Sequence, residues 1–360
     1  MSRRFFQMVL RILLKSVLGV KEKHDFSLKN VKRILIVRQH NQLGDMLAGS
    51  SLVHALREAF PAAEITFIAS PQNKDALLGN PLINILHVFD KKKLNTLSYW
   101  KELWGVLRAD YDLCISPATV SISFTNDLLA RLAKAKIRIG IRDLDGKEND
   151  FAYFFDYPVS LDWRNQPDLH IAERIIGILK PFGISTRNFL PEIQPTADDN
   201  EEARSFIRGA VDDVKKRIIG LHTGAGKPPN RWPWQNFCQL IERLQAEQNA
   251  FCYLTASSAD LEVIEKINKF LPHPLPVYLN KSIGSVAALI GCTELFITND
   301  TGIMHAAAAV PIPQISLFGQ TNPSVWAPLG PGKHYIRHGE DINSISVEEV
   351  YSLAVELVNK

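Results

Sequence analysis

The stretch "FITNDTGIMHAAAAVPIPQISLFGQTNP", residues 296–323, decides the fold. An apolar run stops at Asn299-Asp300-Thr301-Gly302, resumes as small residues around His305, and gives way to a second apolar run. That is the pattern of strand, polar turn, helix and strand. The alanines from 306 to 309 permit close packing of the helix on a sheet. A core strand needs only apolar letters, so the Asp300-Thr301-Gly302 interruption asks for a further reason. Backbone N–H groups at a helix start hold anions, and Gly302 lets a ligand approach the backbone. An acidic Asp300 beside a phosphate would repel it. Its better role is to accept hydrogen bonds from hydroxyls or to orient the loop. His305, one turn into the helix, is either a satisfied core histidine or a site residue. The whole reads as a cradle for a phosphate and a ribose.

The same alternation extends outward in both directions. Strands are expected at 33–38, 64–70, 84–90, 111–117, 137–141, 217–223, 251–257, 295–300 and 313–319. Helical periodicity runs over 45–60, 96–109, 123–135, 170–183, 197–210, 232–247, 258–271, 282–291 and 302–309, and again in the closing amphipathic segment. Residues 184–200 hold two prolines and a polar end, and form the best linker. The fold class is therefore α/β, with two doubly wound, Rossmann-like domains at 25–185 and 195–342, a helix at 1–24 and a C-terminal helix at 343–360. Such folds bind ligands at the carboxyl ends of their strands, which would face a cleft between the domains.

Composition narrows the function classes. Of 360 residues, 46% are hydrophobic and 22% charged, an ordinary globular balance. The net charge of +3 is local: residues 1–33 hold nine Lys/Arg against two Asp/Glu, and the remainder is net acidic. That excludes general nucleic-acid binding and points to one basic element. As a helix, the N-terminal segment puts Arg4, Gln7, Arg11 and Lys15 on one face, with Phe5, Phe6, Val9, Leu10, Leu13, Val17 and Leu18 around the rest. Arg11 and Lys15 interrupt the apolar run, so it does not span a bilayer. It reads as an amphipathic helix on an anionic membrane surface, with a packed helix or a signal peptide as the alternatives. The cysteines, Cys114, Cys238, Cys252 and Cys292, form no C-x-x-C pair and read as buried free thiols.

Two more loops hold candidate chemistry. In "RQHNQLGDMLAGSSL" (38–52), Gly44 allows a tight turn and Asp45 begins a helix. Asp45 is either a helix N-cap or a general base. No G-x-G-x-x-G is present. In "GLHTGAGKPPNRWPW" (220–234), backbone N–H groups of Thr223, Gly224 and Ala225 suit phosphate oxygens, with Lys227 and Arg231 adding charge or standing solvated. The P-loop spacing fails, because Leu221 and Pro228 occupy positions where it needs Gly and a hydroxyl. Trp232 and Trp234 read as packing residues. The D-x-D at Asp143-Leu144-Asp145 reads as a turn rather than a metal site.

Together, "ILIVRQHNQLGDML", "GLHTGAGKPPNRWP" and the opening stretch resemble, in order and spacing, the lipopolysaccharide heptosyltransferase family, glycosyltransferase family nine. The resemblance covers roughly residues 32–340. It implies a glycosyltransferase B fold and an inverting transfer of a sugar, typically from ADP-heptose, to a lipid-anchored lipopolysaccharide core. The enzyme would be cytoplasmic, peripheral on the inner face of the inner membrane, and would use no cofactor or metal. Carried over by motif, Asp45 matches the general base. Asp300, Thr301, Gly302 and His305 match the donor loop, and Thr223 with the Gly224, Lys227 and Arg231 region matches the phosphate loop. Three positions depart from the family pattern: Asn230 replaces a common Lys, Ser51 a common Pro, and Thr223 a common Pro. The alternatives are a transferase with another nucleotide sugar, a two-Rossmann sugar epimerase, and a non-catalytic nucleotide-sugar-binding envelope protein.

Overall fold

Near-continuous apolar runs bounded by polar turns build two separate, mainly parallel sheets, whose strands are buried on both faces. The computed structural model describes residues 3–24, 26–39, 42–211 and 216–360, with side chains from Arg11 onward. His40 and Asn41 of the first loop, and the side chains of Arg4, Phe5, Phe6, Gln7, Val9 and Leu10, lie outside the described residues. The chain divides into two compact units. One runs up to the first loop and again over Gly49–Phe189; the other comprises Gln42–Ala48 and Leu190–Lys360.

The first unit has strands β1 (Arg33–Val37), β2 (Glu64–Ala69), β3 (Ile85–Val88), β4 (Tyr111–Ile115), β5 (Ala135–Leu144), β6 (Lys147–Glu148) and β7 (Tyr157–Leu161). Their order is β3-β2-β1-β4-β5-β6, with β7 also beside β5. Every pair is parallel except the β5–β6 hairpin. That hairpin revises the reading of the D-x-D. Asp143 and Leu144 end β5, and the turn itself is Asp145-Gly146, both at positive φ (52° and 76°). Asp143 accepts from the Ser160 hydroxyl and Asp145 from the Trp163 N–H.

In the second unit, β8 (Arg217–His222), β9 (Ala250–Ala256), β10 (Val277–Leu279), β11 (Leu295–Asn299), β12 (Gln314–Leu317) and β13 (Lys333–Ile336) form an all-parallel sheet, β10-β9-β8-β11-β12-β13. Alternate residues serve its two faces. Ile219, Leu221, Cys252, Leu254, Leu295 and Ile297 pack under the Trp234–Gln248 and Val347–Val358 helices. Tyr253 and Phe296 pack on the other side with the Ile283–Ile290 helix. The C-terminal helix, expected as a separate element, buries Val350, Tyr351, Ala354 and Leu357 in this core.

Several boundaries differ from the sequence reading. The helix expected over 45–60 is two helices, Leu43–Ala48 and Ser51–Ala59, and only the second belongs to the first unit. Between them a side chain at Gly49 would collide with the Arg38 guanidinium. The 170–183 helix is α-helical over Ile171–Ile176 and then 3₁₀ over Gly177–Phe182, where Pro181 removes an N–H donor and Gly183 stops it at φ 69°. Strands β6, β7, β10 and β13 were not expected. β6, β10 and β13 are two to four residues long and carry no readable pattern, and β7 contains Pro158. All four cysteines are free, three of them buried.

Candidate functional site

In the second sheet, β8 lies between β9 and β11, so the strand order reverses there. Loops leaving the carboxyl ends of strands that flank such a point diverge and leave room for a ligand. The loops after β8 and β11 are the two singled out in the sequence as Thr223–Arg231 and Asp300–Gly302.

A buried polar network holds them together. Asn299, the last residue of β11, donates from Nδ2 to the Thr223 carbonyl at 2.9 Å. Its Oδ1 accepts from the Trp232 N–H at 3.2 Å. One side chain thus clamps both ends of the β8 loop to β11. Asn230 Nδ2 donates to Asp300 Oδ2 at 2.7 Å and to Thr321 Oγ1 at 3.0 Å. Burial pushes the Asp300 carboxyl upward in pKa, opposed by its hydrogen bond to Thr321 and by the Lys227 charge. Asp300 is thus tied through Asn230 to the loop after β8, in keeping with the loop-orienting role, one of the two open to it in the sequence. Asn299 and Thr321 were missed as site residues, and Asn230 was noted only as the residue in place of a family Lys; Asn299 closes an apolar run and Asn230 follows a proline pair, while Thr321 carries no such signal.

The cationic pair divides. Arg231 Nε donates to the Ala225 carbonyl at 2.8 Å, tying down the loop's backbone. Lys227 is exposed and bears electrostatically on Asp300. Gly224 is needed for space, since a Cβ there would collide with the Asp260 carboxylate. His222 is buried and its Nδ1 faces the Thr255 carbonyl at 2.9 Å. Burial lowers its pKa, so the ring is neutral with Nδ1 as donor. Trp232 is buried in the core, with its indole N–H on the Ile345 carbonyl at 2.9 Å, and Trp234 packs on Phe270. Both are packing residues.

Thr223 differs from its neighbours. Its side chain is 2% exposed, and its Oγ1 has no hydrogen-bond partner. A buried hydroxyl without a protein partner is costly to leave unsatisfied.

The third motif gathers with the first. The Leu43–Ala48 helix packs on the Gly302–Ala308 helix within the second unit. Gly44 faces His305, and Leu43 fills the space where a side chain at Gly302 would stand, its Cβ 3.1 Å from that point. The absent side chain at Gly302 thus serves helix packing. Thr301 precedes the helix in extended conformation with no side-chain cap. His305 is buried, edge-on to Trp326 at 6.3 Å. Asp45 is the third residue of its helix, not the N-cap, and is buried. Among the described residues no group of three or more His, Cys, Asp or Glu is placed to hold a metal ion.

Known proteins resemble this chain in sequence and in fold. A family model described as glycosyltransferase family 9 (heptosyltransferase) matches residues 100–353. Lipooligosaccharide heptosyltransferase 2 of Haemophilus influenzae is 28% identical over 312 residues, 82% of this chain and 86% of its own length. Lipopolysaccharide heptosyltransferase 3 of Escherichia coli is 26% identical over 79% of this chain and 82% of its own. Among solved structures, a family 9 glycosyl transferase from Veillonella parvula superposes with TM-score 0.78 at 22% identity, covering 95% of this chain and 99% of that one. The E. coli ADP-heptose LPS heptosyltransferase II gives TM-score 0.74 at 22% identity, over 91% and 98%.

Proposed function

This chain belongs to glycosyltransferase family 9, the heptosyltransferases, and on that premise we propose that it moves a heptose from ADP-heptose to a lipopolysaccharide core acceptor with inversion at the anomeric carbon. The fold is the two-Rossmann glycosyltransferase B type, and the enzyme is a glycosyltransferase. The observation that carries the donor half of the reading is the unpartnered Thr223 hydroxyl, buried where the β8 and β11 loops are clamped together. It supports a ligand oxygen at that point, which a diphosphate supplies.

In this mechanism Asp45 takes the proton of the acceptor hydroxyl as its oxygen attacks the anomeric carbon. The new C–O bond forms as the bond to the diphosphate breaks, and ADP leaves with the electron pair. Thr223, backbone N–H groups of Gly224 and Thr301, and the Lys227 ammonium receive the charge that gathers on the leaving group. Asp300, held by Asn230, fixes the loop, and Gly302 and His305 hold the Asp45 helix against it. Arg231 keeps the Ala225 carbonyl turned away from the phosphates. No helix among the described residues is long and apolar enough to cross a membrane. The N-terminal helix, Arg3–Leu18, exposes Ile12, Leu13 and Val17 beside Lys15, which supports a peripheral attachment to the anionic cytoplasmic face of the inner membrane.

The test incubates purified protein with ADP-heptose and a heptose-free lipid A–Kdo acceptor, following ADP release and acceptor mass. A heptose-sized gain is expected. Asp45→Asn is expected to lower turnover by at least about 10²-fold, the low end for general base catalysis, while retaining ADP binding. Equal loss of binding would reduce Asp45 to a structural role.

A further inference from the structure

The Leu97–Leu107 helix of the first unit has two apolar faces. Tyr99, Leu103 and Leu107, spaced four apart, are buried in the core of that unit. Leu97, Trp100 and Trp104 project from the other face and are 86%, 42% and 42% exposed. With Ser98 and Lys101 they line an open groove of about 730 Å³. A helix covered on one side needs no second apolar stripe, and two exposed tryptophans one turn apart are not scattered surface apolars.

The patch belongs to a larger layer. Leu18, at the end of the N-terminal helix, and Leu128, Leu129 and Leu132 pack on the same core cluster as Leu103 and Leu107. These elements and the loop entering them also expose Ile12, Leu13, Val17, Val120 and Phe124. Of the fifteen large hydrophobics exposed among the described residues, eight stand on the elements that pack on this core cluster or on the loop beside them.

Its charges are positive. Lys91–Lys93 form an exposed 3₁₀ turn just before the helix. Lys101 lines the groove, and the Arg108 guanidinium lies 4.5 Å over the Trp104 ring. The cations outnumber the nearby carboxylates: Asp110 pairs with Lys134 at 2.5 Å, while Asp90, which accepts from the Lys92 N–H, and Glu102, which faces the neutral His87 at 3.3 Å, stand against Lys91–Lys93, Lys101 and Arg108. Indoles ringed by long cations suit the boundary between headgroups and acyl chains, where the ring is half-solvated and ammonium groups meet lipid phosphates. A protein partner would need an acidic rim to match these cations, whereas an anionic leaflet supplies the apolar layer and the phosphates together.

We propose that the Leu97–Leu107 helix is a membrane-docking element whose Trp100 and Trp104 enter the headgroup region of an anionic leaflet, with Lys91–Lys93 and Lys101 on lipid phosphates. This rests on the reading that the enzyme works at a membrane surface, and it adds a contact separate from the N-terminal helix.

The full chain is mixed with phosphatidylcholine vesicles, with and without phosphatidylglycerol, in which a fraction of the acyl chains is brominated. Tryptophan fluorescence is expected to be quenched by the anionic vesicles. Trp100→Phe/Trp104→Phe removes that quenching, and deletion of residues 1–16, which spares Leu18 in the core cluster, preserves part of it. Trp100→Ala/Trp104→Ala lowers vesicle affinity about tenfold or more, and Lys91→Glu/Lys92→Glu/Lys93→Glu abolishes the preference for phosphatidylglycerol. Transfer to a soluble acceptor stays unchanged in every variant. Vesicle binding without quenching of Trp100 and Trp104 overturns the proposal and leaves the N-terminal helix as the contact. Absence of vesicle binding overturns both contacts. Absence of transfer by the unaltered enzyme is a failure of the functional reading alone, since the quenching is read independently of turnover.

Discussion

A side chain at position 44 would collide with His305: a Cβ on Gly44 would lie 2.9 Å from His305 Cδ2 and 3.3 Å from Nε2. The first-motif helix and the third-motif helix are thus in backbone-to-ring contact. Gly44→Ala forces His305 or the Leu43–Ala48 helix to move. The expected cost is about 1–3 kcal/mol of stability, typical of overpacking. Because Asp45 follows directly, turnover should fall more than ADP affinity. Thermal unfolding and steady-state kinetics on one preparation check this; unchanged turnover would uncouple Gly44 packing from the proposed base.

Thr223→Val is a near-isosteric removal of the unpartnered hydroxyl. Stability should be unchanged or higher by about 1 kcal/mol, since a desolvated group is lost. ADP affinity should fall about tenfold, the equivalent of one hydrogen bond. Calorimetric titration with ADP reads the second effect. Undiminished affinity would return Thr223 to a purely structural place.

Asn230 and Asp300 should act as a pair. Truncating either to Ala leaves a largely buried partner unsatisfied, while truncating both removes the pair together. A double-mutant cycle by denaturant unfolding should give a coupling energy of about 1–3 kcal/mol. Additive single effects would show that the 2.7 Å bond contributes no net energy.

In the first unit, Asp127 accepts from Ser116 Oγ at 2.8 Å and from Asn149 Nδ2 at 2.9 Å, yet burial pushes its carboxyl up to about 6. Folded protein then holds a proton that the unfolded chain releases near 3.8. Stability contributed by this group is present below the lower value and is lost as pH rises through the window to about 6, by about 3 kcal/mol. The stability difference between wild type and Asp127→Asn should move in favour of Asn by that order across the window and stay flat above it. A difference independent of pH would mean the carboxyl is ionised throughout.

Sheet alternation, the loops at Thr223 and Asp300, and the packing role of both tryptophans were legible because each is encoded in neighbouring letters. The break at Gly49 was overlooked although Gly49-Ser50 is a helix-breaking pair, while the crowding of position 49 by the Arg38 guanidinium is a tertiary contact that no local pattern shows. The Asn230–Asp300 bond joins residues seventy apart in the chain, and a single sequence shows no such pairing. Strand β10, with three residues, has no readable period. Asp45 looked like a cap because the helix start at Leu43 has no capping letter before it.

The Gln42–Ala48 segment belongs to a unit whose other residues begin only at Leu190. That unit cannot be completed from the C-terminal half of the chain alone. As the ribosome releases the polypeptide, the early segment must wait, uncovered, until the Gly302–Ala308 helix exists. Closing so long a loop is slow and entropically costly. The proposed catalytic aspartate should therefore be among the last residues to become ordered, and a severed C-terminal half should regain its full packing only when a peptide spanning this helix is supplied to it.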